Sequence, residues 1–274
     1  MPPILSPEEI LSFRKEIYRY YKKNRRSFPW RDTHNPYYIL VSEVMLQQTQ
    51  VERVNGKYQE FLAAFPDFSA LARARLNAVL RTWSGLGYNR RAISLIKLAK
   101  TVVAEYGGNL PKDVEVLASL PGIGKATAGS LVAFAFNQSA VFAETNIRRV
   151  FIHFFFQDGA NVHDREVLHL VEATLDRTSP RKWYYALMDY GAMLKKAVLN
   201  PNRKSAHYKR QPPFESSDRR IRGAMIRVLL GGQPLQSREI AGAIEADPDR
   251  VDRLLVRMRD EGLVREDRGG YYIP

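Results

Sequence analysis

The chain has 274 residues, no cysteine, and a formal net charge of +13 from 42 Lys and Arg against 29 Asp and Glu. That length fits one large or two moderate domains, and a chain without cysteine excludes disulfides, iron–sulfur clusters and Cys-ligated zinc. The charge points to a polyanionic partner, of which nucleic acid is the commonest, or to a solvated basic surface. His34, His153, His163, His169 and His207 form no HxxxH pair, so no metal site is expected. The opening MPPILSPEEI carries acids and no long apolar core, so it does not read as a signal peptide. No apolar run reaches the roughly eighteen residues a membrane span needs. The expectation is an intracellular protein with no membrane partner, cytoplasmic and nucleoid-associated if its source is prokaryotic.

Ser6-Pro7-Glu8-Glu9 predicts a helix start, with Ser6 as N-cap and Glu9 closing a capping box. The helix is expected through Phe13, Ile17 and Tyr20, ending in the basic cluster Lys22, Lys23, Arg25 and Arg26. Phe28-Pro29-Trp30-Arg31 reads as a loop, and Asn35-Pro36 starts a turn. From Tyr37 to Phe65 the apolar spacing is helical, and further helices are predicted at about 69–82, 89–106, 113–119, 125–136, 144–156, 164–176 and 181–196. Few alternating β-branched runs precede residue 210, so this part is all-α.

Within it, LPGIGKATAGSL (120–131) places a proline and two glycines just before an apolar helix. Such a loop can turn backbone N–H groups toward an anion. It does not match a GxxxxGK[ST] phosphate loop, and a predicted helix rather than a strand precedes it, against a dinucleotide fold. A helix-hairpin-helix element that grips phosphate fits, and so does a simple helix–helix turn. Asn200 to Phe214 is polar, basic and proline-containing, and reads as a linker. Beyond it come a helix over Arg219–Leu230 and a short helix capped by Ser237. A third starts at Pro248 with Val251, Leu254, Leu255 and Met258 on one face, and two short strands flank a glycine turn. That order is winged-helix-like.

Several segments carry a family resemblance. SEVMLQQTQV (42–51), WSGLGYNRRA (83–92), LPGIGKATAG (120–129) and ETNIRRV (144–150) resemble the helix-hairpin-helix DNA glycosylases, nearest to the MutY-type adenine DNA glycosylases. FPWR (28–31) and ALMDYGAM (186–193) belong to the same pattern, which covers about residues 10–195. The resemblance implies an all-α, two-lobed glycosylase fold over 1–199, a basic linker over 200–217, and a small α+β winged-helix-like domain over 218–274. It implies a double-stranded DNA partner carrying a mispaired or damaged base.

Cleaving an N-glycosidic bond needs a proton for the leaving base and a negative charge near the oxocarbenium-like sugar. Glu43 lies in the segment similar to the one carrying the family's general acid, and is assigned that role. The second carboxylate is an aspartate in the family; here Glu144 stands in its place, about 1.5 Å longer in reach. Glu144 could equally cap the helix that follows it. The resemblance assigns Gln47, Gln48, Leu86 and Tyr88 to base flipping and to probing the opposite strand. It assigns Arg26 and Arg31, with Asp189 beside them, to the base pocket. Gly122, Gly124, Lys125 and Thr127 are assigned to a DNA phosphate, with room for a monovalent cation at the hairpin. Core packing is the alternative for Leu86 and Tyr88, although the glycines flanking Leu86 suggest an exposed loop. Arg148 and Arg149 read as phosphate contacts or surface charge. Ala126 stands where bifunctional members carry a Schiff-base lysine, so a monofunctional enzyme without strong lyase activity is expected.

Three departures concern the substrate. The family's four-cysteine iron–sulfur cluster is impossible here. In its place the chain has Lys195, Lys196, Arg203, Lys204, Lys209 and Arg210, a basic segment expected to contact phosphates. The usual β-rich recognition domain is replaced by the winged-helix-like tail, which could bind DNA or a protein. Glu144 replaces aspartate. The leading reading is removal of adenine opposite 8-oxoguanine or guanine; thymine or uracil opposite guanine is second, and a non-catalytic DNA-binding protein on a glycosylase scaffold is third.

Overall fold

A computed structural model of the chain describes residues 3–157, 159–209 and 213–274. The chain divides into two compact units. One is built from Met1–Leu40, Lys112–Ser119 and Ile123–Arg210; the other from Val41–Pro111, Leu120–Gly122 and Gln211–Pro274.

In the first unit, α1 (Pro7–Asn24) starts with the expected capping box: the Glu9 amide donates to Ser6 Oγ at 3.2 Å and the Ser6 amide to the Glu9 carboxylate at 2.7 Å. Its buried stripe is Phe13, Ile17 and Tyr21, an i, i+4, i+8 spacing. Helix α2 (Pro36–Leu46) begins in this unit. It continues with α7 (Val114–Ser119), α8 (Lys125–Phe136), α9 (Thr145–Phe155), α10 (Asp164–Thr174) and α11 (Pro180–Ala197). Helix α11 packs against α1, α8 and α9. Phe13 meets the rings of Phe151, Phe154, Phe155 and Trp183, an aromatic cluster that ties three helices. Gly191 lets α11 approach the start of α9, since a Cβ there would collide with the Asn146 carbonyl.

The segment read as a linker is partly folded. Pro201–Lys204 form a 3-10 turn with Pro201, Asn202 and Ser205 buried. Asn202 Nδ2 donates to the Thr145 carbonyl at 2.9 Å, and the Val162 amide to the Lys204 carbonyl at 2.8 Å. The segment lacks an apolar period because its attachment is through backbone and amide hydrogen bonds. Arg210 lies outside the described residues.

The second unit takes the end of α2, then α3 (Val51–Ala64), α4 (Phe68–Arg73), α5 (Leu76–Trp83) and α6 (Arg90–Tyr106). The helix expected over 69–82 is interrupted at Ala74, whose extended backbone ends α4, and Arg75 caps α5. The same unit holds α12 (Asp218–Leu229), α13 (Ser237–Ala243), α14 (Pro248–Asp260) and the antiparallel hairpin β1 (Arg265–Asp267) and β2 (Gly270–Tyr272), with Arg265 opposite Tyr272. Helix α14 buries Val251, Leu254, Leu255 and Met258, the predicted face. These C-terminal elements pack on α5: the Asn77 amide donates to the Pro274 carbonyl at 3.4 Å, and the Arg81 guanidinium to the Leu230 carbonyl.

Candidate functional site

Helix α11 turns Asp189 inward, where it is 2% exposed, and two arginines from the chain before α2 close on it. Arg26 Nε donates at 2.6 Å; Arg31 donates from both terminal nitrogens at 2.9 Å, a bidentate pair. Arg31 lies 4.5 Å from the Tyr185 ring centroid, and Arg181 donates to the Arg31 and Thr33 carbonyls. Phe28 stacks on Trp30 at 4.9 Å. The three residues expected together are together. Two cations share one anion, so the group keeps a net positive charge. Arg31 is buried with Asp189, and Arg26 alone of the three keeps a third of its side chain exposed.

Glu144 is the N-cap of α9. Its Oε1 accepts the Asn146 amide at 2.8 Å and the Ile147 amide at 3.1 Å, so the capping role is real. Burial pushes its carboxyl above the usual range, opposed by these amides, by the Asn146 side chain and by the charge of Arg149. Arg149 is buried and donates to Asn146 Oδ1 and the Gly191 carbonyl at 2.8 and 2.7 Å. Arg148 makes a two-point pair with Asp164 at 2.7 and 2.8 Å. Neither arginine is the loose surface charge the sequence allowed. Lys204, from the basic segment, donates to the Phe156 and Gln157 carbonyls and is also committed to structure.

In the second unit, Glu43 is half-buried on α2 between buried Ser42 and Val44. The helix ends at Leu46, and Gln48 adopts φ +54°. A residue missed by the sequence reading organises this turn. Arg91 Nη1 donates to the Val44, Met45 and Gln47 carbonyls at 2.8, 2.7 and 2.7 Å, where α2 stops. Its Nη2 donates to Thr49 Oγ1 at 2.9 Å and the Gly87 carbonyl at 3.0 Å. Burial lowers its pKa to about 10, and it stays charged at neutral pH. The spacing was present: half-buried Arg91 stands four, seven and eleven residues before the buried Leu95, Leu98 and Val102 of α6.

In the loop that Arg91 clasps, Gly85 and Gly87 have φ of +94° and +71°, and Tyr88 has +47°. The sequence suggested that Leu86 is exposed; it is 2% exposed, its side chain turned inward where the glycines bend the chain. Tyr88 is half-buried, and its hydroxyl accepts Arg219 Nη1 at 3.0 Å. Gly122 needs both its φ of +82° and its missing side chain, since a Cβ would lie 2.6 Å from Ser94 Cβ. Gln47, Gln48, Leu86, Tyr88 and Gly122 line one cleft of about 1090 Å³, together with Phe214 and residues of α12. Gly124 is the N-cap of α8 and brings no side chain to its first turn; Lys125 is exposed beside it and Thr127 half-buried. Exposed first-turn amides next to a cation are donors for a phosphate. Among the described residues no cluster of His, Asp or Glu is placed to hold a metal. The residues following Gly191 do not fit a Cys-ligated cluster.

The profile of the HhH-GPD superfamily of base excision DNA repair proteins matches residues 41–174. An adenine DNA glycosylase of Mycolicibacterium smegmatis is 33% identical over 98% of this chain and 95% of its own length. The chain belongs to this superfamily. An adenine DNA glycosylase of Buchnera aphidicola is 36% identical over 64% of this chain, which spans 50% of that relative. A thermostable thymine-DNA glycosylase structure superposes with a TM-score of 0.61 at 26% identity, covering 68% of this chain and 87% of that one. The superfamily segment includes Glu43, the turn at Gln47 and Gln48, the hairpin and Glu144. Arg26, Arg31, Asp189 and the C-terminal elements from α12 on lie outside it.

Proposed function

We propose that the chain is a monofunctional adenine DNA glycosylase, hydrolysing the N-glycosidic bond of adenine opposite 8-oxoguanine or guanine in double-stranded DNA. The observation that carries this reading is the mycobacterial relative of that name, aligned over nearly the full length of both chains. Glu43 donates a proton to a ring nitrogen of the extruded base. The bond from C1′ to the glycosidic nitrogen breaks, and its electron pair leaves with the base. Glu144, ionised, sits at the positive end of α9 and offsets the charge developing on the sugar. Water adds to C1′ and gives its proton to the Glu43 carboxylate, restoring the acid. The hairpin amides and Lys125 hold a backbone phosphate. With alanine at 126 and no lysine there to form a Schiff base, the product is an intact abasic strand. No metal or cluster takes part in this scheme.

Glu43→Gln tests the assignment: excision in single-turnover assays falls at least a thousandfold while duplex affinity changes little. Retained excision would contradict it. The thymine-DNA glycosylase structure, at 26% identity, gives a second reading in which thymine opposite guanine is removed.

A further inference from the structure

A chain of oriented hydrogen bonds runs from Glu144 to the segment after α11. Arg149 has donors only, so Asn146 meets it with its amide oxygen, at 2.8 Å. The amide nitrogen is thereby turned to Glu144 Oε2, to which it donates at 3.3 Å. Arg149 is held from two further sides. The Gly191 carbonyl of α11 accepts from Nη1 at 2.7 Å, and Asn200 Oδ1 accepts from Nε at 3.2 Å. Asn200 opens the 3-10 turn, where the same oxygen accepts the Asn202 amide at 3.2 Å. The turn is pinned to the start of α9 by Asn202 and to its far end by Lys204, which donates to the Phe156 carbonyl at 3.3 Å. The segment is a strap across both ends of the helix that Glu144 caps.

All three acceptors of Arg149 are neutral. A buried guanidinium ordinarily takes a carboxylate partner. Arg31 takes Asp189, and Arg148, the chain neighbour of Arg149, takes Asp164 of α10. Arg149 is 3% exposed and makes no ion pair among the described residues. Its charge is left to act on Glu144, whose ionised form it favours.

We propose that Asn200 is a positioning residue for Glu144: as a neutral acceptor it fixes Arg149 without taking up its charge, which stays available to the carboxylate. An acid at 200 would accept the same bonds and divide the one cation between two anions. The inference rests on the glycosylase reading, in which Glu144 is the counter-charge to the sugar cation.

Asn200→Asp in the full chain separates this role from a purely structural one, because it keeps the size of the side chain and both accepted bonds. On a duplex with adenine opposite 8-oxoguanine, its single-turnover excision falls about tenfold while duplex affinity stays within about twofold and the melting temperature is unchanged. Asn200→Ala, which releases Arg149, loses about as much. A structural anchor gives the opposite pattern, aspartate harmless and alanine destabilised. Carbon NMR of the Glu144 carboxyl reads the same point without turnover: in Asn200→Asp it titrates at higher pH than in wild type. Wild-type excision by Asn200→Asp, or a fall matched by an equal loss of duplex affinity, overturns the proposal. Excision by wild type with one carboxyl titration shared by both proteins sinks the Asn200 assignment alone. A displaced titration with no excision of any base by wild type sinks the enzymatic reading alone.

Discussion

One substitution separates the cap that Glu144 forms from the catalytic role proposed for it. As N-cap its oxygen accepts two amides, and Gln can accept them equally well. Glu144→Gln loses the charge and the second oxygen, which accepts Asn146 Nδ2 at 3.3 Å. Burial raises this carboxyl, so the folded protein holds its proton more tightly than the unfolded chain does. Stability from this group therefore falls as pH rises from the unfolded carboxylate range through the raised folded value, and is flat beyond. Glu144→Gln removes that penalty. Its stability relative to wild type is expected to grow across the same window, read by thermal melts from about pH 4 to 8. Excision is expected to drop at least a hundredfold, because the sugar cation loses its counter-charge. A variant with wild-type excision would leave Glu144 a cap and nothing more. At this scale the sequence singles out Glu43 and Glu144 through the motifs their chain neighbours form, and the capping alternative for Glu144 is the part the structure shows. It misled at Leu86, where flanking glycines turn the side chain inward instead of exposing it.

At the scale of elements, one guanidinium joins the end of α2 to the GLGY loop. Arg91 holds the Val44 and Met45 carbonyls of α2, the Gln47 carbonyl just past it and the Gly87 carbonyl, across two segments that also line the cleft. Lysine is shorter of donors and cannot span both. Arg91→Lys is expected to cost about 2–3 kcal/mol of stability, the range for leaving buried carbonyls unpaired. Excision should fall about tenfold even at temperatures where the variant is fully folded, since Gln47 and Gln48 lose their support. Calorimetry and single-turnover rates on the same sample check both; normal excision in the folded variant would remove Arg91 from the account. This tie was illegible as function because its partners at the end of α2, Val44, Met45 and Gln47, are 44 to 47 residues away in the chain. The capping box of α1 was legible because its partners, Ser6 and Glu9, are three residues apart; at α13 the sequence placed the cap at Ser237, and the structure has it at Gln236. The segment after α11 was misread in part: a 3-10 turn fixed by amide bonds leaves no hydrophobic period to find.

For the whole molecule, a charge of +13 finds its use in a superfamily of DNA repair proteins. Part of that charge is internal. Arg31, Arg91 and Arg149 are engaged by carboxylates and carbonyls, so they brace the site rather than attract DNA. The C-terminal elements share a compact unit with α3 to α6. The alignment with the mycobacterial relative runs through them as well, over 98% of the chain. The central claim is that this chain removes adenine and leaves the strand uncut. The direct measurement is incubation of purified protein with labelled duplexes carrying A:8-oxoguanine, A:G, T:G, U:G and intact pairs, each split with and without alkali. Cleavage of the adenine strand only after alkali is the predicted result. Cleavage confined to T:G or U:G, or strand scission without alkali, would contradict it.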